Sequence, residues 1–183
     1  MTYGVPPLLM EKLGRIRLLI LDVDGVLTDG RIVMNDLGQE TKFFDVRDGH
    51  GLKLLMRYHV DVALLTGRQS PLVDHRARDL GIGEVHQRIW DKLAVYEEIL
   101  LRRKLNDAEV AFVGDDIVDI PVLKRVGFSA SVADGVVEVR GVVDYVTENK
   151  GGRGAVREIC DLLLKGKGYW PEIAKKYQFN QDV

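Results

Sequence analysis

The stretch Leu18-Leu19-Ile20-Leu21-Asp22-Val23-Asp24-Gly25-Val26-Leu27-Thr28 closes a four-residue apolar run with two carboxylates two residues apart. A short Leu/Ile run bounded by glycine predicts a strand buried on both faces, and residues i and i+2 of a strand point the same way. Asp22 and Asp24 therefore stand together where the chain turns at Gly25. Like charges this close raise one pKa unless a cation or a shared proton offsets the repulsion. The pair asks for a metal, a proton-transfer task, or both; a plain Asp-Gly turn after a strand is the bland alternative.

Other apolar runs end in the same polar way. "VDVALLTG" delivers Thr66, Gly67 and Arg68, and "EVAFVGDD" delivers Gly114, Asp115 and Asp116, with Asp119 one helical turn on and Lys92 opening the charged segment before that run. Brought together, these groups can move a phosphoryl group. Asp22 can attack phosphorus and form an aspartyl phosphate, which splits one hard displacement into two easier ones. Asp24 can protonate the leaving oxygen and then deprotonate the attacking water. Oxygens from Asp22, the Asp24 carbonyl and Asp115 suit Mg2+. Thr66, the Gly67 N–H and Lys92 can hold the phosphate oxygens.

The elements that must position these groups alternate along the chain. After the first strand, "GRIVMNDLGQETKFFDV" reads as a hairpin around Asn35-Asp36-Leu37-Gly38, over about residues 30 to 44. In "GLKLLMRYH", Leu52, Leu55, Met56 and His59 follow a helical period. "SPLVDHRARDLG" has Pro71 near a helix start and Gly81 near its end, and "EVHQRI", "DKLAVYEEILLRRKL", "DIPVLKRVG", "FSASVA" and "DYVT" continue the pattern. "GAVREICDLLLKG" puts Val156, Ile159, Cys160 and Leu163 on one helical face. Strand alternating with helix predicts an α/β fold with a mostly parallel sheet covered on both sides, and ligands in such sheets bind beyond the carboxyl ends of the strands.

A length of 183 residues fits one domain, residues 1–183. A net charge of -2 gives no bulk drive toward nucleic acid or an anionic membrane, and no apolar run reaches spanning length. "MTYGVPPLLMEKLGRIR" lacks the pattern of an export signal, and the lone Cys160 cannot form an internal disulfide, so a cytoplasmic location is expected.

Taken in order, the DxDGVLT start, Thr66, Lys92 and the GDDxxD run resemble the haloacid dehalogenase-like phosphohydrolases, and Asp24 points to members that pass phosphate to water. The resemblance implies a Rossmann-like core. Relatives usually insert a cap domain, but here residues 28 to 48 hold only a hairpin and residues 69 to 89 one helix and a short strand. "VRDGHG", "TGRQS", "GDDIVDIPVLKRVG" and "YVTENKGGRGAVREICDLLL" resemble, from about Arg17 to Lys165, the cap-less sugar acid phosphatases that act on 3-deoxy-D-manno-octulosonate 8-phosphate in lipopolysaccharide synthesis. That resemblance implies a homotetramer that takes a small-molecule sugar acid phosphate with Mg2+, using Asp22, Asp24 and Asp115 for metal and Lys92 for phosphate. It puts substrate contacts on Asp24, on the loop Asp45-Val46-Arg47-Asp48-Gly49, and on Lys53, Arg68 and Arg76; the residues themselves add the Gly67 N–H for phosphate, Asp116 and Asp119 in support, and Arg153, which the Gly151-Gly152-Arg153-Gly154 loop can bring close as a partner for a carboxylate. His50 stands where the family often has Tyr, and the tail over residues 166–183 has no match. A nine-carbon sugar acid 9-phosphate as substrate, and a non-catalytic oligomerisation or binding module, are the alternatives. Arg68 and "VRDG" favour the eight-carbon substrate, and the complete carboxylate, Thr and Lys set favours an enzyme.

Overall fold

The computed structural model describes residues 6–180; the first five residues of the amino-terminal stretch and the last three of the tail lie outside the described residues. In chain order the elements are α1 (Pro7–Arg15), β1 (Leu18–Leu21), β2 (Val33–Met34), β3 (Glu40–Thr41), α2 (Val46–Arg57), β4 (Asp61–Leu65), α3 (Pro71–Leu80) and β5 (Glu84–His86). They continue as α4 (Lys92–Arg103), β6 (Val110–Gly114), α5 (Ile120–Leu123), β7 (Phe128–Ser131), α6 (Val137–Arg140), β8 (Tyr145–Val146), α7 (Ala155–Gly166) and α8 (Trp170–Tyr177).

All four residues of β1 are buried, because each face of the strand meets its own layer. Leu19 and Leu21 join a core with Leu13 of α1, Leu52 of α2, Val73 of α3 and Val156 of α7. Leu18 and Ile20 join a second core with Tyr96 and Ile99 of α4, Val122 of α5 and Val139 of α6. The six-stranded sheet runs β5-β4-β1-β6-β7-β8 with every pair parallel. From β1 the chain builds outward through β4 and β5, then returns to add β6, β7 and β8 on the other side. The strand order therefore reverses at β1, the place where open α/β sheets open a ligand crevice at the carboxyl ends of their strands.

Local chemistry sets the helix ends. Ser70 accepts the Leu72 N–H, Pro71 sits in the first turn of α3, and Gly81 ends that helix in the left-handed region at φ 82°. In the hairpin, Asn35 Oδ1 accepts the N–H groups of Leu37 and Gln39 at 3.1 and 2.9 Å. Its paired part is shorter than the expected 30 to 44: only Val33–Met34 and Glu40–Thr41 form a ladder.

Two expectations need correction, and the tail, for which there was no match, acquires an element. The segment Asp45 to Gly49 is not a loop: Asp45 caps α2 by accepting the Arg47 N–H, and Val46 to Gly49 form the first turn. His59 does not continue the apolar face, because α2 ends at Arg57 and His59 turns away at φ 62°. The tail is partly helical: α8 buries Trp170, Ile173 and Ala174, and the Tyr58 hydroxyl donates to Glu172 at 3.0 Å.

Candidate active site

The Asp22 N–H donates to the Val113 carbonyl at 3.0 Å, so the β1–β6 ladder runs one residue past β1. Alternation then turns the Asp22 side chain to the face of Leu18 and Ile20, where α4 packs. Lys92, the first residue of α4, places its Nζ 3.0 Å from Asp22 Oδ1 and 2.5 Å from Asp119 Oδ1. Asp119 is fully buried, and its Oδ2 accepts the N–H groups of Asp115 and Asp116 at 3.1 and 3.3 Å. One carboxylate thus holds both the lysine and the turn that presents Asp115.

The turn after β1 is equally constrained. The Val23 carbonyl accepts the N–H groups of Val26, Leu27 and Thr28. Gly25 has φ 98°, and a Cβ there would lie 2.1 Å from Asp115 Oδ2, so glycine is required both by conformation and by space. Behind the turn, a Cβ on Gly151 would lie 1.7 Å from the Gly25 carbonyl oxygen, and the Gly152 N–H bonds the Val26 carbonyl at 2.9 Å. The Gly-Gly-Arg-Gly loop braces the turn after β1 through its backbone.

The carboxylates crowd one another. Burial pushes the Asp22 carboxyl above its ordinary range and Asp119 adds to this, while Lys92 opposes it. Burial raises Asp115 as well, with Asp22 and Asp119 adding repulsion. One carboxylate oxygen from each of Asp22, Asp115 and Asp119 lies within 4.8 Å of the other two. Asp115 Oδ1 is buried without a hydrogen-bond donor, and Asp22 Oδ1 is buried with the Lys92 ammonium 3.0 Å away. Two desolvated hard oxygens with open lone pairs suit a hard divalent cation such as Mg2+. Asp119, already committed to Lys92 and two N–H groups, stands behind them.

Thr66 follows β4 and is buried. Its N–H donates to the His86 carbonyl at 2.9 Å, its carbonyl accepts the Ile89 N–H at 3.1 Å, and the Arg88 N–H reaches the Arg68 carbonyl at 3.2 Å. These bonds stitch the Thr66-Gly67-Arg68 turn to the segment leading into Lys92, bringing Thr66 and Lys92 to the same end of the sheet. The Arg68 guanidinium bonds Glu40 at 2.8 Å and lies 3.8 Å from Asp24 Oδ2. Lys42, which the sequence reading did not single out, pairs with Asp24 Oδ1 from the end of the hairpin. Its only advance signal was a lysine two residues from Glu40 beside a Phe-Phe pair.

The remaining candidates lie farther out or are already engaged. Asp48 is buried at 1% exposure, its oxygens accepting the Arg157 N–H at 2.7 Å and the Gly154 N–H at 3.3 Å, so it clasps α2 to the start of α7. Gly49 lies under Arg76, which bonds Asp79 and the Asp45 carbonyl and stands over the Phe44 ring. Val46 is exposed, Arg47 pairs with Asp45 and the Arg153 carbonyl, and Lys53 is half-buried farther along α2. Asp116 caps the turn at Ile117, and Arg153 pairs with Asp29 at 3.3 Å.

A family model described as haloacid dehalogenase-like hydrolase matches residues 79–159. The 3-deoxy-D-manno-octulosonate 8-phosphate phosphatase of Salmonella typhimurium strain LT2 is 47% identical over 167 residues, covering 91% of this chain and 89% of that one. The crystal structure of the enzyme of that name from Yersinia pestis superposes with a TM-score of 0.89 at 45% identity, over 92% of each chain. The one from Moraxella catarrhalis, in complex with a magnesium ion, a phosphate ion and a KDO molecule, superposes with a TM-score of 0.90 at 38% identity, over 92% of this chain and 97% of that one. Sequence and fold agree over nearly the whole length: the chain belongs to the 3-deoxy-D-manno-octulosonate 8-phosphate phosphatases, within the haloacid dehalogenase-like hydrolases.

Proposed function

We propose that this protein hydrolyses 3-deoxy-D-manno-octulosonate 8-phosphate to the free sugar acid and phosphate. The reading is carried by one observation: Asp22, Lys92 and Asp115 meet at the end of β1 in a chain that shares its length and fold with phosphatases of that name. An Asp22 oxygen attacks phosphorus; as that bond forms, the bond from phosphorus to the sugar oxygen breaks and Asp24 protonates the departing oxygen. In the second step water attacks the aspartyl phosphate, Asp24 takes the water's proton, and the bond to Asp22 breaks, which frees the Asp22 carboxylate and returns Asp24 to the protonated acid it was at the start. Asp22, the Asp24 carbonyl and Asp115 would hold Mg2+, which supplies charge neutralisation between carboxylates and phosphate. Lys92, Thr66 and the Gly67 N–H hold the phosphate oxygens. Arg68, bonded to Glu40 and 3.8 Å from Asp24, is the cation we assign to the substrate carboxylate.

The assembly we propose is a homotetramer in the cytoplasm. In a single copy, Ile32, Met34, Leu37, Phe43 and Val46 expose their side chains around the hairpin, and a groove of 500 Å³ beside it is lined by Arg31, Phe43, Phe44, Val46 and Arg153. Among the described residues no helix is long and apolar enough to cross a membrane.

Phosphate release from the eight-carbon sugar acid 8-phosphate, a nine-carbon sugar acid 9-phosphate and p-nitrophenyl phosphate, each with and without Mg2+, tests the reading. The highest kcat/KM is expected for the eight-carbon substrate, only with metal. A higher value for the nine-carbon compound would reassign the substrate, and no release from any of the three would leave an assembly module.

A further inference from the structure

Lys42 leaves the hairpin just after β3 and buries its side chain to 3% exposure. A lysine on a two-stranded hairpin is ordinarily solvated and mobile, and ordering it costs rotamer freedom and hydration. Here its ammonium pairs with Asp24 Oδ1 and lies 3.4 Å from Glu40, while Glu40 holds Arg68 at 2.8 Å on its other side. Arg68 Nε stands 3.8 Å from Asp24 Oδ2, beyond hydrogen-bond reach. The two oxygens of Asp24 are therefore unequal: Oδ1 is fixed by a desolvated cation, and Oδ2 has no hydrogen-bond donor among the described residues.

We propose that Lys42 is a positioning residue for acid–base catalysis, holding Asp24 by Oδ1 so that Oδ2 is the atom that moves the proton. The proposal rests on the phosphatase reading above and adds to it a residue outside the sheet. Asp24 Oδ2 gives its proton to the departing ester oxygen and takes one back from the attacking water; Lys42 stays an ammonium throughout and transfers nothing. Because Lys42 belongs to the hairpin, the aim of Asp24 depends on how that hairpin is seated, and the short strands of the hairpin become part of the catalytic apparatus.

A lysine that merely anchored the hairpin would, when lost, slow every substrate alike. A lysine acting through Asp24 matters most where the leaving oxygen needs a proton. The test is a series of substituted phenyl phosphates, from p-nitrophenyl to unsubstituted phenyl, in saturating Mg2+ with the wild type, Lys42→Met and Lys42→Arg. In Lys42→Met the loss of kcat/KM for phenyl phosphate is expected to exceed that for p-nitrophenyl phosphate by about tenfold or more, within the range that one acid–base group supplies. Lys42→Arg should recover part of the difference. In an Asp24→Asn background, Lys42→Met should cost little further, since coupled residues are not additive. If circular dichroism shows Lys42→Met unfolded, Lys42→Gln runs the same series. Equal losses along the series, or full additivity with Asp24→Asn, would overturn the role of Lys42 while leaving the phosphatase intact. A wild type inactive on the whole series would sink the phosphatase reading first.

Discussion

Asp119 and Lys92 are joined at 2.5 Å with both side chains almost wholly out of solvent, and the second oxygen of Asp119 holds the backbone of Asp115 and Asp116. Neither partner is in reach of bulk water, so the pair links the lysine that opens α4 to the turn that presents Asp115 after β6. A Cβ at Gly114 would lie 2.5 Å from Asp119, so the close fit continues into β6.

Asp119→Ala should therefore act on stability and on catalysis together. Removing one member of a buried ion pair typically costs about 3–5 kcal/mol, and two N–H donors lose their acceptor as well. Urea unfolding should show a loss of that order, and phosphate release should fall because Lys92 and Asp115 both lose their support. A variant with wild-type stability would show that Asp119 is dispensable to the site.

Asp22→Asn should behave in the opposite way. Phosphate release should be lost, since an amide cannot form the phospho-enzyme. Yet the metal-free variant should be as stable as the wild type or more so, because one charge leaves a crowded, buried carboxylate group. Turnover within about tenfold of wild type would remove Asp22 from the nucleophile's place.

The same crowding sets the pH dependence of the chelated protein. Asp22 and Asp115 are both raised in the folded state above the ordinary 3.8. Their contribution to stability is therefore present in full below that ordinary value, where folded and unfolded chains are both protonated, and is lost as pH rises through the raised folded values. After EDTA treatment, thermal midpoints should fall as pH is raised from 4 toward neutrality and above. Added Mg2+ should reverse much of the fall, since a ligand bound only by the folded state stabilises it, and should restore phosphate release. A metal-independent midpoint at neutral pH would argue against Asp22 and Asp115 as ligands.

How far the sequence alone reached depends on whether the signal was local. Ser70, Pro71 and Gly81 mark α3 through bonds made within a few residues, and the spacing of Asp22 and Asp24 follows from the pleat of one strand. The first turn of α2 was hidden because glycines at 49 and 51 look like a loop. They serve tertiary packing instead: a Cβ on Gly51 would lie 2.9 Å from Arg157 and 3.2 Å from Cys160 of α7, and Gly49 makes room for Arg76. The part Asp48 plays in the fold was out of reach as well, since only the folded chain shows the start of α7 supplying two N–H groups to it. Lys42 was illegible because nothing within its own hairpin says that Asp24 lies beside it. In α8, Pro171 in the first turn ahead of Ile173 and Ala174 was a local signal that the reading did not use.

Arg68→Ala should separate substrate recognition from chemistry. Arg68 touches Asp24 only at 3.8 Å, and its firm contact is Glu40. Its loss should raise KM for the sugar acid phosphate far more than for p-nitrophenyl phosphate, which has no carboxylate. Parallel losses on the two substrates would make Arg68 a brace for the hairpin and not a reader of the substrate.

The last prediction concerns the hairpin itself. Two residues on each side form its ladder, and a lone two-stranded ribbon is only marginally stable in water. Within one copy it is tied to the core by charge, through Lys42 to Asp24 and Glu40 to Arg68, and by Phe44 at its end, while its apolar side chains Ile32, Met34 and Phe43 are each about three-fifths exposed. An exposed apolar cluster on a short ribbon beside an active site is best covered by another copy of the chain. Ile32→Asp combined with Phe43→Glu should reduce the mass seen by light scattering. These changes leave Asp22, Lys92 and Asp115 untouched, so p-nitrophenyl phosphate should still be hydrolysed, while selectivity for the sugar acid phosphate should fall as Lys42 and Arg68 lose their fixed support. A variant that becomes monomeric yet keeps full selectivity would show that the hairpin needs no neighbour to set the site.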